Sequence, residues 1–194
     1  MKTRYSGLDL ACQVQELQKL IGMRINKIYD IDKKTYLFKL QRTEEKCVLL
    51  LESGSRIHET TSVWPKNDAP SGFTMKLRKH LKNKRIEAIF QYQTDRIVVM
   101  KFGINEVANY VICELYDRGN ILLTDHEFVI MGVLRPRLGD ENNKVAVRET
   151  YDLLVSMLSH IPDLTEKFQS TVECFPRFCF TCENVGRQRD FANF

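Results

Sequence analysis

Residues 24–60 read RINKIYDIDKKTYLFKLQRTEEKCVLLLESGSRIHET, and the punctuation of that stretch decides the fold class. Four short runs are alternating or apolar: Arg24–Ile31, Thr35–Gln41, Lys46–Glu52 and Arg56–Thr60. The breaks between them are Asp32-Lys33-Lys34, Thr43-Glu44-Glu45 and Ser53-Gly54-Ser55. Such polar and glycine-containing breaks carry turn chemistry, so the stretch predicts a meander of strands.

Working outward, Ser6-Gly7-Leu8-Asp9 lies upstream with the spacing of a capping box, a serine followed three residues later by an acid. Leu10, Val14, Leu17 and Ile21 then recur at helical spacing, and Gly22 closes the helix. Downstream, a polar loop with Pro65 and Pro70 ends the meander, and Ser71 caps a second helix over roughly 71–84. Five more strand-like runs follow: Ile86–Tyr92, Arg96–Phe102, Ala108–Tyr116, Asn120–Leu123 and Phe128–Leu134. Two helices separating two groups of strands predict an α+β fold. Its β-sandwich-like core has about eight or nine strands and two main helices. The expected boundaries are one domain over 1–151 and a divergent tail over 152–194, where no clear period survives.

Composition agrees with a globular chain. Of 194 residues, 43% are apolar and 28% charged, which excludes a wholly disordered or collagen-like chain. The apolar runs fall far short of the roughly 20 residues that span a bilayer, and the charged start, Met1-Lys2-Thr3-Arg4, has no apolar signal core. No membrane role is expected. The net charge of +4 hides an asymmetry. Residues 1–100 hold 19 Lys/Arg against 11 Asp/Glu, and the remainder holds 10 against 14. A basic first half points to a polyanionic partner.

The densest part of that charge is Lys76-Leu77-Arg78-Lys79-His80-Leu81-Lys82-Asn83-Lys84-Arg85. On a helical wheel Phe73, Leu77 and Leu81 form a narrow apolar stripe. Arg78, Lys79, Lys82 and Arg85 fall on the opposite side, and Lys76 flanks the stripe. Most charge runs are solvated faces. Here Arg78 and Lys82 repel at i,i+4 spacing with no intrahelical acid to relieve them. Contact with phosphate is the reading that uses them, by backbone or shape and not by base sequence.

Cys12, Cys47 and Cys113 lie in apolar or amphipathic runs and read as reduced core residues. Cys174, Cys179 and Cys182 cluster near the C-terminus. Tetrahedral zinc needs four ligands and His160 is the one upstream candidate, so no metal is expected. His58 reads as a hydrogen-bonded structural residue. No nucleophile–base grouping and no glycine-rich phosphate loop is visible, so no cofactor is expected.

Several ordered motifs together resemble a known family. They are Met1-Lys-Thr-Arg-Tyr-Ser-Gly-Leu-Asp9, Tyr29–Tyr36, Leu49–Gly54, Arg56-Ile-His58, Pro70–Phe73, Lys76–Lys82, Thr94-Asp-Arg-Ile97 and Glu114–Ile121. They are similar to the N-terminal NFACT domain of the eukaryotic nuclear export mediator factor family. The resemblance implies a factor of ribosome-associated quality control in the cytoplasm, with some nuclear presence open. Such factors bind a stalled large ribosomal subunit still carrying peptidyl-tRNA. They recruit aminoacyl-tRNA for untemplated, alanine-rich tailing, and they favour recruitment of the listerin ubiquitin ligase. The ribosome makes the peptide bonds, so the chain is expected not to be an enzyme. The resemblance also assigns tRNA recruitment and tailing to Asp9, Asp95 and Arg96. The residues allow it: Arg96 offers a planar donor fork, and the two acids can accept from bases or ribose. Plainer roles stay open, with Asp9 as a helix-capping acid and Asp95 as a turn residue.

The family's domain is in turn similar to the N-terminal domain of formamidopyrimidine-DNA glycosylases. Those enzymes use an N-terminal proline followed by an acid, whereas this chain has Lys2 and Thr3. A repair enzyme is therefore the weaker alternative. A further alternative is a truncated competitor or adaptor. The family's coiled coil is not visible before Phe194, which puts listerin engagement in question for this chain.

Overall fold

The structure is a computed structural model, and it describes residues 4–65, 67, 69–137 and 145–151. The helix opened by Ser6 is α1, Gly7–Leu17, continued by a 3-10 turn over Gln18–Leu20. The capping box forms: the Asp9 amide donates to Ser6 Oγ, and the Ser6 amide donates back to Asp9 Oδ2 at 2.7 Å. Leu10, Val14 and Leu17 make the buried stripe, and Gly22 ends the segment at φ +90°, a conformation that favours glycine. Cys12 falls on the opposite side of α1 and is exposed, which corrects its expected place in the core. Cys47 and Cys113 are buried.

The meander forms as one antiparallel sheet in chain order: β1 Arg24–Asp30, β2 Thr35–Arg42, β3 Glu45–Glu52 and β4 Arg56–Glu59. A second antiparallel sheet, also in chain order, holds β5 Ile86–Gln91, β6 Ile97–Phe102, β7 Asn109–Glu114, β8 Asn120–Thr124 and β9 Ile130–Val133. The registers place apolar partners on one face of each sheet. Tyr36 pairs with Leu51, Phe38 with Leu49 and Leu40 with Cys47 in the first. In the second, Met100 pairs with Val111 and Cys113 with Ile121. These residues belong to one buried core that both sheets share, and the Phe38 and Phe102 rings meet across it with centroids 6.5 Å apart. Each fully buried Leu, Ile or Phe contributes about 1.5–3 kcal/mol from its removal from water.

Backbone hydrogen bonds stitch the two sheets at one corner. The Gly22 amide donates to Ile86 O, the Ile86 amide to Met23 O, and the Ile25 amide to Lys84 O. At another point the Ser53-Gly54 turn meets the Asp117–Gly119 turn, where the Gly54 amide donates to Glu114 O at 3.1 Å. Arg135 clamps this contact through Nη1, which donates to Ser53 Oγ, Arg118 O and Gly119 O at 2.7, 2.9 and 3.0 Å.

The second helix, α2, spans Gly72–Leu81 with Ser71 as its cap. It is shorter than the expected 71–84. Lys82 leaves helical geometry with ψ 130°, and Asn83 takes φ 63°. The cause is tertiary: the Asn83 amide donates to Ile25 O, so this backbone is drawn onto β1 in place of another helical turn. Helix α1 packs against β4 and β5, and α2 against β1 and β9. Each helix therefore covers an edge strand of both sheets, which blunts the unpaired edges.

Candidate nucleic-acid interface

The first element of the site is the N-terminal turn of α1 beside the β5–β6 hairpin. Gly7 lies directly against the hairpin backbone at Thr94. The Gln91 side chain joins the two, its amide donating to Gly7 O at 3.2 Å and to Asp95 O at 2.7 Å. Asp95 Oδ1 accepts from the Arg96 amide at 2.7 Å, which shapes the turn. Arg96 is in turn fixed by its carbonyl, which accepts from the Leu115 amide of the strand beside it. The segments carrying Asp9, Asp95 and Arg96, expected to act together, are thus neighbours in space. Asp95 is exposed, while Asp9 and Arg96 are half-buried. Both carboxylates also do the local work allowed by the sequence: Asp9 accepts from the Ser6 amide and hydroxyl, and Asp95 holds the turn. Arg96 makes no ion pair among the described residues. Gln91, which ties the site together, carries no sequence signal. An amide in a strand gives no warning of the two carbonyls it will meet.

The second element is α2. Leu77, Leu81 and Thr74 are fully buried, and Phe73 packs edge-on against Tyr36 with ring centroids 5.6 Å apart. Lys76, Lys79 and Lys82 are exposed, as expected. Two of the expected phosphate contacts sit differently. Arg85 is off the helix, in an isolated bridge with Arg24, and its side chain is ion-paired to Glu87 at 2.8 Å. Arg78 is half-buried and turned toward β1, where Nε donates to Ile28 O at 2.8 Å and the guanidinium lies 5.6 Å from the Tyr29 ring centroid. The helix start is held by a buried acid: Asp30, on β1, accepts from the Ser71 amide at 3.1 Å. Burial pushes the Asp30 carboxyl up, but the hydrogen bonds from Ser71, Thr74 and Asn67 outweigh it and hold the group below its ordinary value. Near the other end of α2, His80 is held below its ordinary value by burial first and then by Lys79, Lys84 and Lys76. The three lysines that add to this shift place positive charge around that end of the helix, which favours an anionic partner.

His58 matches its structural reading, its Nδ1 lying 2.7 Å from Glu59 O. No cluster of three or more metal-ligating side chains occurs among the described residues. Cys174, Cys179 and Cys182 lie outside the described residues. No described helix is long and apolar enough to cross a membrane.

A family model described as NFACT N-terminal and middle domains matches residues 6–175. The ribosome quality control complex subunit NEMF homolog of Drosophila melanogaster is 57% identical over 153 residues, which is 78% of this chain and 15% of that protein. The ribosome quality control complex subunit NEMF of Homo sapiens is 53% identical over 155 residues, 79% of this chain and 14% of that protein. The N-terminal part of the fibronectin/fibrinogen-binding protein from Streptococcus suis has a similar fold, with TM-score 0.70 and 27% identity over 76% of this chain and 60% of that one. The chain thus spans about a seventh of the length of these two relatives.

Proposed function

Because the chain belongs to the NFACT N-terminal and middle domain family, we propose that it is the tRNA-holding part of a ribosome quality control factor. In this reading it binds the large ribosomal subunit that still carries peptidyl-tRNA and positions aminoacyl-tRNA for untemplated tailing of the stalled chain, in the cytoplasm. It acts by positioning; the ribosome supplies the peptide-bond chemistry. Listerin recruitment belongs to the longer protein.

One observation carries the reading. Gln91 bridges Gly7 and Asp95, which sets the N-terminal turn of α1 beside the Asp95-Arg96 turn. A helix N-terminus offers amides and a positive dipole end, and Arg96 adds a guanidinium without an acid partner among the described residues. Asp9 and Asp95 can accept from base amino groups or ribose hydroxyls, or orient Arg96. The lysines of α2 supply sequence-independent attraction to the backbone.

The test is direct binding of tRNA to the chain. Asp95→Ala with Arg96→Ala is expected to weaken binding while lowering the melting temperature only slightly, through the lost Asp95 turn bond, and to abolish tailing when placed in the full-length protein. Wild-type tRNA affinity and normal tailing in that variant would overturn the assignment.

A further inference from the structure

We propose that the groove between β1 and the C-terminal half of α2 seats an RNA phosphodiester strand, held by Lys27, Lys39, Arg78 and Lys82 around Tyr29. This rests on the RNA-binding reading above and extends it from the helix to the first sheet.

The groove runs along Asn26–Tyr29 of β1 on one side and Arg78, Lys82 and Asn83 on the other. Three cations line it and no carboxylate does. Lys39 joins them from β2, in register with Lys27 across the strand pair. Directly opposed like charges destabilise a sheet, so this pair is unfavourable until an anion arrives. Several cations elsewhere are paired with acids: Lys19 with Glu59, Lys34 and Arg56 with Glu52, Arg42 with Glu45, Arg85 with Glu87, Arg137 with Glu114. Lys27, Lys39, Arg78 and Lys82 make no ion pair among the described residues. Four cations thus meet at a groove whose lining holds no acid to cancel them.

The cations are also pre-arranged. Lys39 Nζ and the Arg78 guanidinium each lie 5.6 Å from the centroid of the same Tyr29 ring. The ring quadrupole attracts both and steadies them. Arg78 is further fixed by its bond to Ile28 O, which uses Nε and leaves the Nη donors for an oxyanion. Holding these side chains in place beforehand lowers the entropy lost on binding. Asn26, itself bonded to Gln41, and Asn83 add amides of the kind that meet ribose hydroxyls.

An extended peptide adding itself to the β1 edge is disfavoured here. The strand bulges between Ile25 and Lys27, and Ile28 O is already occupied by Arg78. What the groove offers is charge with hydrogen-bond donors, which is phosphodiester recognition.

The experiment is a salt titration of tRNA binding by the whole 194-residue chain. Each phosphate neutralised contributes roughly 0.7–0.9 to the slope of log affinity against log salt. Lys27→Glu with Lys39→Glu is expected to lower affinity at least about tenfold at about 0.1 M salt and to flatten the slope by about 1.5. Lys33→Glu with Lys101→Glu changes net charge equally outside the groove and is expected to leave the slope unchanged. If the glutamate pair does not fold, Lys27→Gln with Lys39→Gln decides, with the same expected loss of slope. If the unaltered chain does not bind tRNA, the underlying reading fails. If it binds and the groove variants match the control, the groove proposal is overturned while that reading stands. Polyglutamate displacing tRNA at equal charge concentration would also overturn it, in favour of an acidic peptide.

Discussion

A Cβ placed on Gly7 would stand 2.8 Å from the carbonyl oxygen of Thr94, closer than side chains approach backbone in folded proteins. Gly7→Ala should therefore force α1 and the β5–β6 hairpin apart. Alanine raises helix propensity by up to about 1 kcal/mol, while overpacking costs about 1–3 kcal/mol. The expected result is a net loss of stability of about 1 kcal/mol with a clear loss of tRNA affinity. Urea unfolding and a binding titration on the same sample check it, and a stabilised variant that binds normally would sink the idea.

The contact between the Ser53-Gly54 and Asp117–Gly119 turns is closer still. A Cβ on Gly119 would fall 1.9 Å from the Gly54 amide nitrogen, and Gly119 itself has φ +66°. Neither the space nor the backbone accepts a side chain. Gly119→Ala should cost more than about 3 kcal/mol, through a clash and an unfavourable φ together. Thermal unfolding followed by circular dichroism measures this, and a melting temperature unchanged from wild type would be the contrary result.

Asp30 makes stability depend on acid. Its hydrogen bonds hold the folded-state carboxyl below its ordinary value. The unfolded chain then takes up the proton more readily. The contribution is complete above the unfolded value near about 3.9 and is lost as pH falls through the lower folded value. Asp30→Asn should unfold less steeply with acid in that window than wild type. Removing the acceptor altogether, as Asp30→Ala, leaves the Ser71 amide unpaired and should cost about 1–3 kcal/mol at neutral pH. Denaturant midpoints across a pH series test both.

The cysteines of the described domain should react in order of exposure. Cys12 is exposed, while burial first pushes the thiols of Cys47 and Cys113 up to about 12. Reactivity needs the thiolate. Brief treatment with a maleimide near neutral pH should label Cys12 and spare the other two until the chain unfolds. Peptide mapping by mass spectrometry reads the result, and early labelling of Cys113 would contradict the packing.

The parts of this fold that were legible in the sequence are those set by neighbouring residues. Ser6 and Asp9 form their capping box because the spacing alone brings them together, and the β1–β4 meander follows its turns. The end of α2 was not legible, because it is set by the Asn83 amide reaching Ile25 O, a distant partner in the chain. For the same reason the wheel put Arg78 on a free face, whereas the strand beside it offered the Ile28 carbonyl and the Tyr29 ring. Lys27 and Lys39 carry no sequence signal that singles them out. Their register across the sheet, which makes them a pair, came from the structure. The neighbourhood of Asp9 and Asp95-Arg96 was implied by family resemblance. Its physical cause, the Gln91 bridge, was not.

Within both sheets the strands follow chain order, so each strand pair closes across a short loop. Short closures cost little entropy and form quickly. The costly closures are those that join the sheets, Met23 to Ile86 and Gly54 to Glu114. During synthesis, which delivers the N-terminus first, the β1–β4 sheet can assemble while its partner is still being made. Phe38, Leu40 and Leu49 then face water until the β5–β9 sheet arrives to cover them. That interval, and not the finished domain, is where this chain is most exposed to misassembly.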